Sequence, residues 1–217
     1  MDNRETYLLS HVIGEDSPLY GGEQSISLKR AKSIQKGDSC NTMRWSFPNH
    51  TGTHVDVPFH FAEDGASVTE VKPENWIFNK VLLTEISGVK PGYIVEEEDL
   101  GDIKDCELFL IKTNFEKYRT DKVYWKNSPG LHPDIAPWLK EKCPSIRAIG
   151  VDFISISNLN KRNLGRDAHR SFLENNILIV EDMKLSEALK APGKVIIAPL
   201  LAEEADGSPC TVFAMKE

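Results

Sequence analysis

Three of the chain's six histidines and one aspartate fall within eleven residues, His50-Thr-Gly-Thr-His54-Val-Asp56-Val-Pro-Phe-His60. Neutral imidazole binds zinc or manganese, a carboxylate can bridge two ions, and three protein ligands leave coordination positions open to water. A lone histidine is more often a hydrogen-bonded core residue. Here the spacing, with small Thr51, Gly52 and Thr53 between the candidate ligands, favours a metal. The four candidates are all even-numbered and lean to one side of an extended chain, but ten residues of straight strand cover about 33 Å, too far for the end groups to share an ion. The chain must therefore bend, and Gly52 and Pro58 are the residues able to bend it.

Further ligands can come only from elsewhere in the sequence. The segment DAHRSFLENNILIVED places His169 on an expected helix and Glu181 at the end of an apolar strand. Taken alone, His169 reads as a helix-surface residue and Glu181 as a solvated strand end. Other chemistries lack their motifs. Around Ser39 the second glycine of a nucleophile elbow is missing, and neither GxxxxGK nor a GxGxxG opening a helix occurs.

Apolar and β-branched runs predict strands at 6–13, 26–30, 42–48, 53–57, 80–86, 107–113, 146–154, 177–181, 194–201 and 210–215. Helices are expected from His132 into DIAPWLKEKC, from an N-cap at Asp167 through DAHRSFLENN, and over LSEAL from Leu185. The balance is a strand-rich, mixed α/β fold. At 217 residues with no repeat or linker, one domain spanning 1–217 is expected.

Charge and composition exclude several partner classes. The net charge is −7, with scattered Lys and Arg, which disfavours nucleic acid and anionic lipid. No apolar run approaches the roughly 18 residues of a membrane helix. The acidic start MDNRETYLLSHVIG predicts a cytoplasmic protein. Cys40, Cys106, Cys143 and Cys210 show no CxxC spacing and read as buried or unreactive thiols.

The stretch from His50 to Phe61 resembles the HxGTHxDxPxH signature of the metal-dependent hydrolases of the cyclase family, which includes kynurenine formamidases and isatin hydrolases. The likeness extends through DSPLYGGE, FLIKTNF, SPGLHPDIAPWL, AIGVDFISIS and ADGSPCTVFAM, in order along nearly the whole chain. It implies two divalent ions, zinc or manganese. His50, His54 and Asp56 would hold one, Asp56 reaching the second, and His169 and Glu181 would complete the pair, Glu181 also bridging. His60 would be a proton shuttle rather than a ligand. The implied reaction is hydrolysis of a formamide or lactam C–N bond in a small, aromatic or cyclic substrate by metal-bound hydroxide. The alternatives are an ester or lactone hydrolase, or a metal-containing protein that binds ligand without turnover. The resemblance also implies a swivelling β/β/α fold and a homodimer or homotetramer. Where bacterial kynurenine formamidases carry Trp-Pro-Gly-Asp, this chain has Tyr20-Gly21-Gly22-Glu23, so Tyr20 is the candidate to stack on a substrate ring. Trp45, Phe47 and Trp125 are further candidates for a pocket wall.

Overall fold

Each run expected to be a strand overlaps one in the computed structural model, which describes residues 5–22, 25–186 and 192–216. In chain order the strands are β1 (Thr6–Leu8), β2 (Ser27–Lys32), β3 (Thr42–Ser46), β4 (His54–Asp56), β5 (Ile77–Phe78), β6 (Val81–Glu85) and β7 (Ile94–Val95). There follow β8 (Leu108–Lys112), β9 (Gly130–Leu131), β10 (Ala148–Val151), β11 (Leu178–Glu181), β12 (Lys194–Pro199) and β13 (Gly207–Met215). The α-helices are α1 (Val123–Lys126), α2 (Ile135–Lys142) and α3 (Arg162–Glu174). The two-residue strands β5, β7 and β9 are too short to show a period in the sequence.

One mixed sheet carries nine of the strands in the order β5-β12-β13-β4-β11-β10-β8-β6, with β1 also paired to β13. Its centre is parallel, β6 with β8, β8 with β10 and β10 with β11, and β4 and β13 join antiparallel. Of the parallel strands, β8, β10 and β11 are buried on both faces, which explains their apolar runs, whereas β6 is partly buried at the sheet edge. Phe109 and Ile111 of β8 point into a core shared with Ile135, Leu139, Ala168 and Phe172 from the helices. Leu108 and Leu110 point the other way, to Val55, Val180, Val195 and Val212. Alternation along β8 thus gives each face its own core. The strand-rich mixed α/β expectation holds.

Helix α3 starts earlier than expected. Asp167 is no N-cap but an exposed residue inside the helix, 3.8 Å from Arg170. The helix reaches back to Arg162 because Gly165 lets it close on Ser157. A Cβ at 165 would fall 2.6 Å from the Ser157 Cβ and 2.7 Å from its Cα. The helix expected from Leu185 falls largely on 187–191, outside the described residues. Cys106, Cys143 and Cys210 are buried, whereas Cys40 is exposed, beside the turn that joins β2 to β3. No helix among the described residues is long and apolar enough to cross a membrane.

Candidate metal centre

Strand β4 puts His54 and Asp56 on one face and Val55 into the core on the other. In the antiparallel register Glu181 of β11 lies opposite His54, and Gly207 of β13 lies opposite Asp56. Directly opposed residues stand about 5 Å apart at Cβ, so the pairing alone delivers a second carboxylate to the cluster. Gly207 makes room for the imidazole of His50, since a Cβ there would fall 2.5 Å from the His50 Cε1. The expected bend is present, with Gly52 at φ +64 and Pro58 opening a one-turn 3-10 helix that carries His60. Thr53 Oγ1 donates to the Asp182 carbonyl at 2.5 Å and accepts from the His11 N–H at 2.9 Å, tying β4 to β11 and the N-terminal segment.

Both buried histidines have their tautomer set by backbone carbonyls. His54 Nδ1 donates to the Gly52 carbonyl at 2.8 Å, and His169 Nδ1 donates to the Gly165 carbonyl at 2.8 Å. In each neutral ring the remaining nitrogen, Nε2, carries a lone pair. Those lone pairs face carboxylate oxygens: His54 Nε2 is 3.6 Å from Asp56 Oδ1 and 3.3 Å from Glu181 Oε2, and His169 Nε2 is 3.5 Å from Asp56 Oδ2 and 3.3 Å from Glu181 Oε1. Acceptor facing acceptor in a buried site needs a proton or a metal ion between them. Asp56 Oδ2 is itself buried with no hydrogen-bond partner.

The spacings fit a metal ion. Ligand bonds of about 2.1 Å place neighbouring donor atoms roughly 3.0 to 3.5 Å apart around a four- or six-coordinate ion. Asp56 is the shared member, with Oδ1 2.9 Å from His50 Nδ1 and 3.6 Å from His54 Nε2, and Oδ2 3.5 Å from His169 Nε2. Ligand atoms of His54, Asp56 and Glu181 lie within 4.8 Å of one another, as do those of His50, Asp56 and His60. His169 and Glu181 are both buried, against the exposure that their local sequence suggests.

The electrostatics are those of a cation-seeking site. Burial alone would lower the His50 and His169 pKa, but the facing carboxylates lift both to about 10. Burial and the Asp56 charge push the Glu181 carboxyl up, yet His169 and His54 outweigh them and hold it down at about 2. Ser155 Oγ and the Ile156 N–H also donate to Glu181 Oε1, at 3.1 and 2.7 Å. Next in the chain, buried Asp182 accepts from Arg119 Nη2 at 2.8 Å and from the Tyr124 hydroxyl at 2.5 Å, which fixes the strand end carrying Glu181.

One acidic residue of this cluster escapes the sequence reading. Asp206 Oδ2 contacts His50 Nε2 at 3.0 Å and accepts from His60 Nδ1 at 2.7 Å, and Asn49 Nδ2 donates to Oδ1 at 2.6 Å. Its only sequence signal is an acidic residue before Gly207, where turns commonly occur. A cavity of about 360 Å³ opens onto the cluster, lined among others by Tyr20, Phe61, Arg162 and Arg166. Tyr20 lies on the wall of this cavity. Trp45 and Phe47 instead line a separate groove, and Trp125 packs over Gly22.

Fold and cluster together define a strand-rich α/β protein with a buried cluster of histidines and carboxylates able to hold a metal ion. The model of the family described as putative cyclase matches residues 7–158, and the chain belongs to that family. Kynurenine formamidases from Bacillus cereus and Bacillus anthracis are each 29% identical to it, over 96% of both chains for the first and over 93% of this chain and 92% of the other for the second. Among solved structures, isatin hydrolase A from Ralstonia solanacearum superposes with a TM-score of 0.84 at 20% identity, over 99% of this chain and 93% of that one. A structure described as a potential metal-dependent hydrolase with cyclase activity gives 0.78 at 22% identity, over 99% and 98%.

Proposed function

We propose that the protein is a metal-dependent amidohydrolase that cleaves a formamide or lactam C–N bond of a small aromatic or cyclic substrate. The observation that carries the reading is the set of His54 and His169 lone pairs facing the carboxylates of Asp56 and Glu181 in a buried site. His50, His54 and Asp56 would hold one divalent ion, zinc or manganese, and Asp56, His169 and Glu181 the second. When bound, such ions acidify a water and polarise a carbonyl. His60 is the residue placed to move a proton. Its Nδ1–H is held by Asp206, so Nε2 is the nitrogen left to accept and return one. Tyr20 and Phe61 give the cavity aromatic walls, and about 360 Å³ suits a single-ring substrate.

Metal analysis of the purified protein, then assays of N-formylkynurenine, isatin and aryl esters after reloading with zinc or manganese, test this directly. About two ions per chain with metal-dependent amide turnover is the expected result. Turnover of esters alone would move the reading to an ester or lactone hydrolase. Stoichiometric metal without turnover of any of these substrates would leave a ligand-binding protein.

A homo-oligomer belongs to the same reading, in a cytoplasmic setting consistent with the unpaired cysteines. Strands β2 and β3 form an isolated hairpin exposing Met43 and Trp45, 51% and 64% accessible, and carrying Lys29, Arg30, Lys32 and Arg44. A two-stranded hairpin is marginally stable alone. The molecule elsewhere offers an acidic groove of Glu63, Asp64, Glu70, Glu203 and Glu204, while exposed Leu200 lines the same groove as Met43 and Trp45. A second copy supplies both the apolar cover and the opposite charge. Light scattering should give at least twice the 24.4 kDa chain mass, reduced in Trp45→Glu. A monomer mass for the unaltered protein would remove the dimer.

A further inference from the structure

Helix α3 does more than deliver His169. Arg162, Arg166 and His169 fall within about 60° of one another around the axis, so they form one stripe. Along that stripe Arg166 precedes His169 by about 4.5 Å and Arg162 by about 10.5 Å. Exposure changes in the same direction, from exposed arginines to a buried histidine. All three side chains line the one cavity. The helix therefore runs from the cavity mouth down to the candidate metal cluster, with both guanidinium groups at the mouth.

Neither arginine is engaged elsewhere in a way that accounts for it. Among the described residues no carboxylate lies within 4 Å of either guanidinium, whereas Arg119, Arg147 and Arg170 each have an acidic partner. Asp182, also on the cavity wall, is already matched by Arg119. The Tyr20 phenol lies within the field of both arginines, which work against the effects of burial and of Glu181 on it. Aromatic wall, cluster and arginines thus surround one space. On a chain of net charge −7, two guanidinium groups with no carboxylate partner among the described residues make the cavity mouth locally attractive to an anion. Their planar forks match a carboxylate, which they can grip bidentately.

We propose that Arg162 and Arg166 form an anion subsite at the mouth of the cavity, and that the substrate is an amide bearing a carboxylate. The substrate class rests on the amidohydrolase reading; the subsite does not. With the carboxylate held at the entrance, the rest of the molecule reaches inward past Tyr20, and the scissile carbonyl lies toward the His54–Glu181 end. Charge-assisted hydrogen bonds of this kind correspond to about ten- to hundredfold in affinity.

The test compares the positional isomers of formamidobenzoate with their methyl esters on the metal-loaded enzyme. For at least one isomer kcat/KM for the acid should exceed that for the ester about ten- to hundredfold, chiefly through KM. In the double variant R162Q/R166Q this acid-to-ester ratio should fall close to one, and R162K/R166K should recover part of it. A ratio near one for every isomer in the unaltered enzyme, or a ratio unchanged by the double variant, overturns the proposal. Binding of aminobenzoate, followed by its own fluorescence, gives a readout independent of turnover. Weaker binding to R162Q/R166Q supports the subsite even if no formamide is hydrolysed, in which case only the amidohydrolase reading fails. Equal binding to both proteins overturns the subsite whatever the kinetics show.

Discussion

Asp56→Asn is expected to release metal from both positions and to lower turnover on the order of 10³-fold or more. The side chain lies between the two halves of the cluster, Oδ1 beside His50 and His54, Oδ2 beside His169. An amide of the same shape removes the negative charge and offers one oxygen where two are used. Ion-assisted hydrolysis draws several kcal/mol of its acceleration from the ions, and each 1.36 kcal/mol is tenfold in rate. Metal content, turnover and a melting curve on the same sample check it. Full metal retention with normal turnover would exclude Asp56 as a bridge. The unaltered protein adds a pH arm. With metal removed by a chelator, the His50 and His169 pKa stand at about 10 against 6.5 unperturbed. Raised values mean that their stabilisation is complete below about pH 6.5 and is lost as pH rises through about 10. Metal competes with those same protons, so binding tightens as pH rises. The difference in Tm between loaded and stripped protein should therefore widen from pH 7 to pH 10, and a constant difference would contradict the ligand assignment of these two histidines.

His60→Ala is expected to keep the metal and lose about 10²- to 10⁴-fold in kcat, the range for a general acid-base group. Its Nδ1 is committed to Asp206, and its ring stands 4.3 Å from that of His50, beside the cluster. Its ligating atom nevertheless falls close enough to those of His50 and Asp56 to join them. Metal content decides between the two roles: loss of metal together with rate would place His60 among the ligands. Asp206→Asn should act in the same direction but less strongly, because Asn can still accept the Nδ1 proton.

Much of this candidate site was legible because its residues sit where periodicity is strict. His54 and Asp56 share a strand face by alternation, and Gly52 and Pro58 mark the bend that a straight ten-residue strand forbids. His169 and Glu181 were legible only through resemblance. Nothing local says that Glu181 is buried; its place is set by the pairing of β11 with β4, a contact across more than a hundred residues. Asp206 was missed for the same reason, since an acidic residue before a glycine reads as a turn until β13 brings it back to His50 and His60. The start of α3 was misplaced because Asp167 is a good N-cap type, whereas the actual start depends on how closely Gly165 can approach Ser157. The pairing of exposed arginines with a buried histidine appears only once those earlier turns are helical.

The register that puts Gly207 opposite Asp56 also fixes when the centre can exist during synthesis. The signature histidines leave the ribosome more than a hundred residues before Glu181 and the strand from Gly207 to Met215, and β4 lies between β11 and β13 in the finished sheet. A growing chain that ends before β11 carries His50, His54 and Asp56 without the wall that faces them. Long-range pairings of this kind close late in folding. An ion gripped from both sides of the proposed centre would therefore enter only after β11 has paired with β4, as a late event of folding rather than its nucleus.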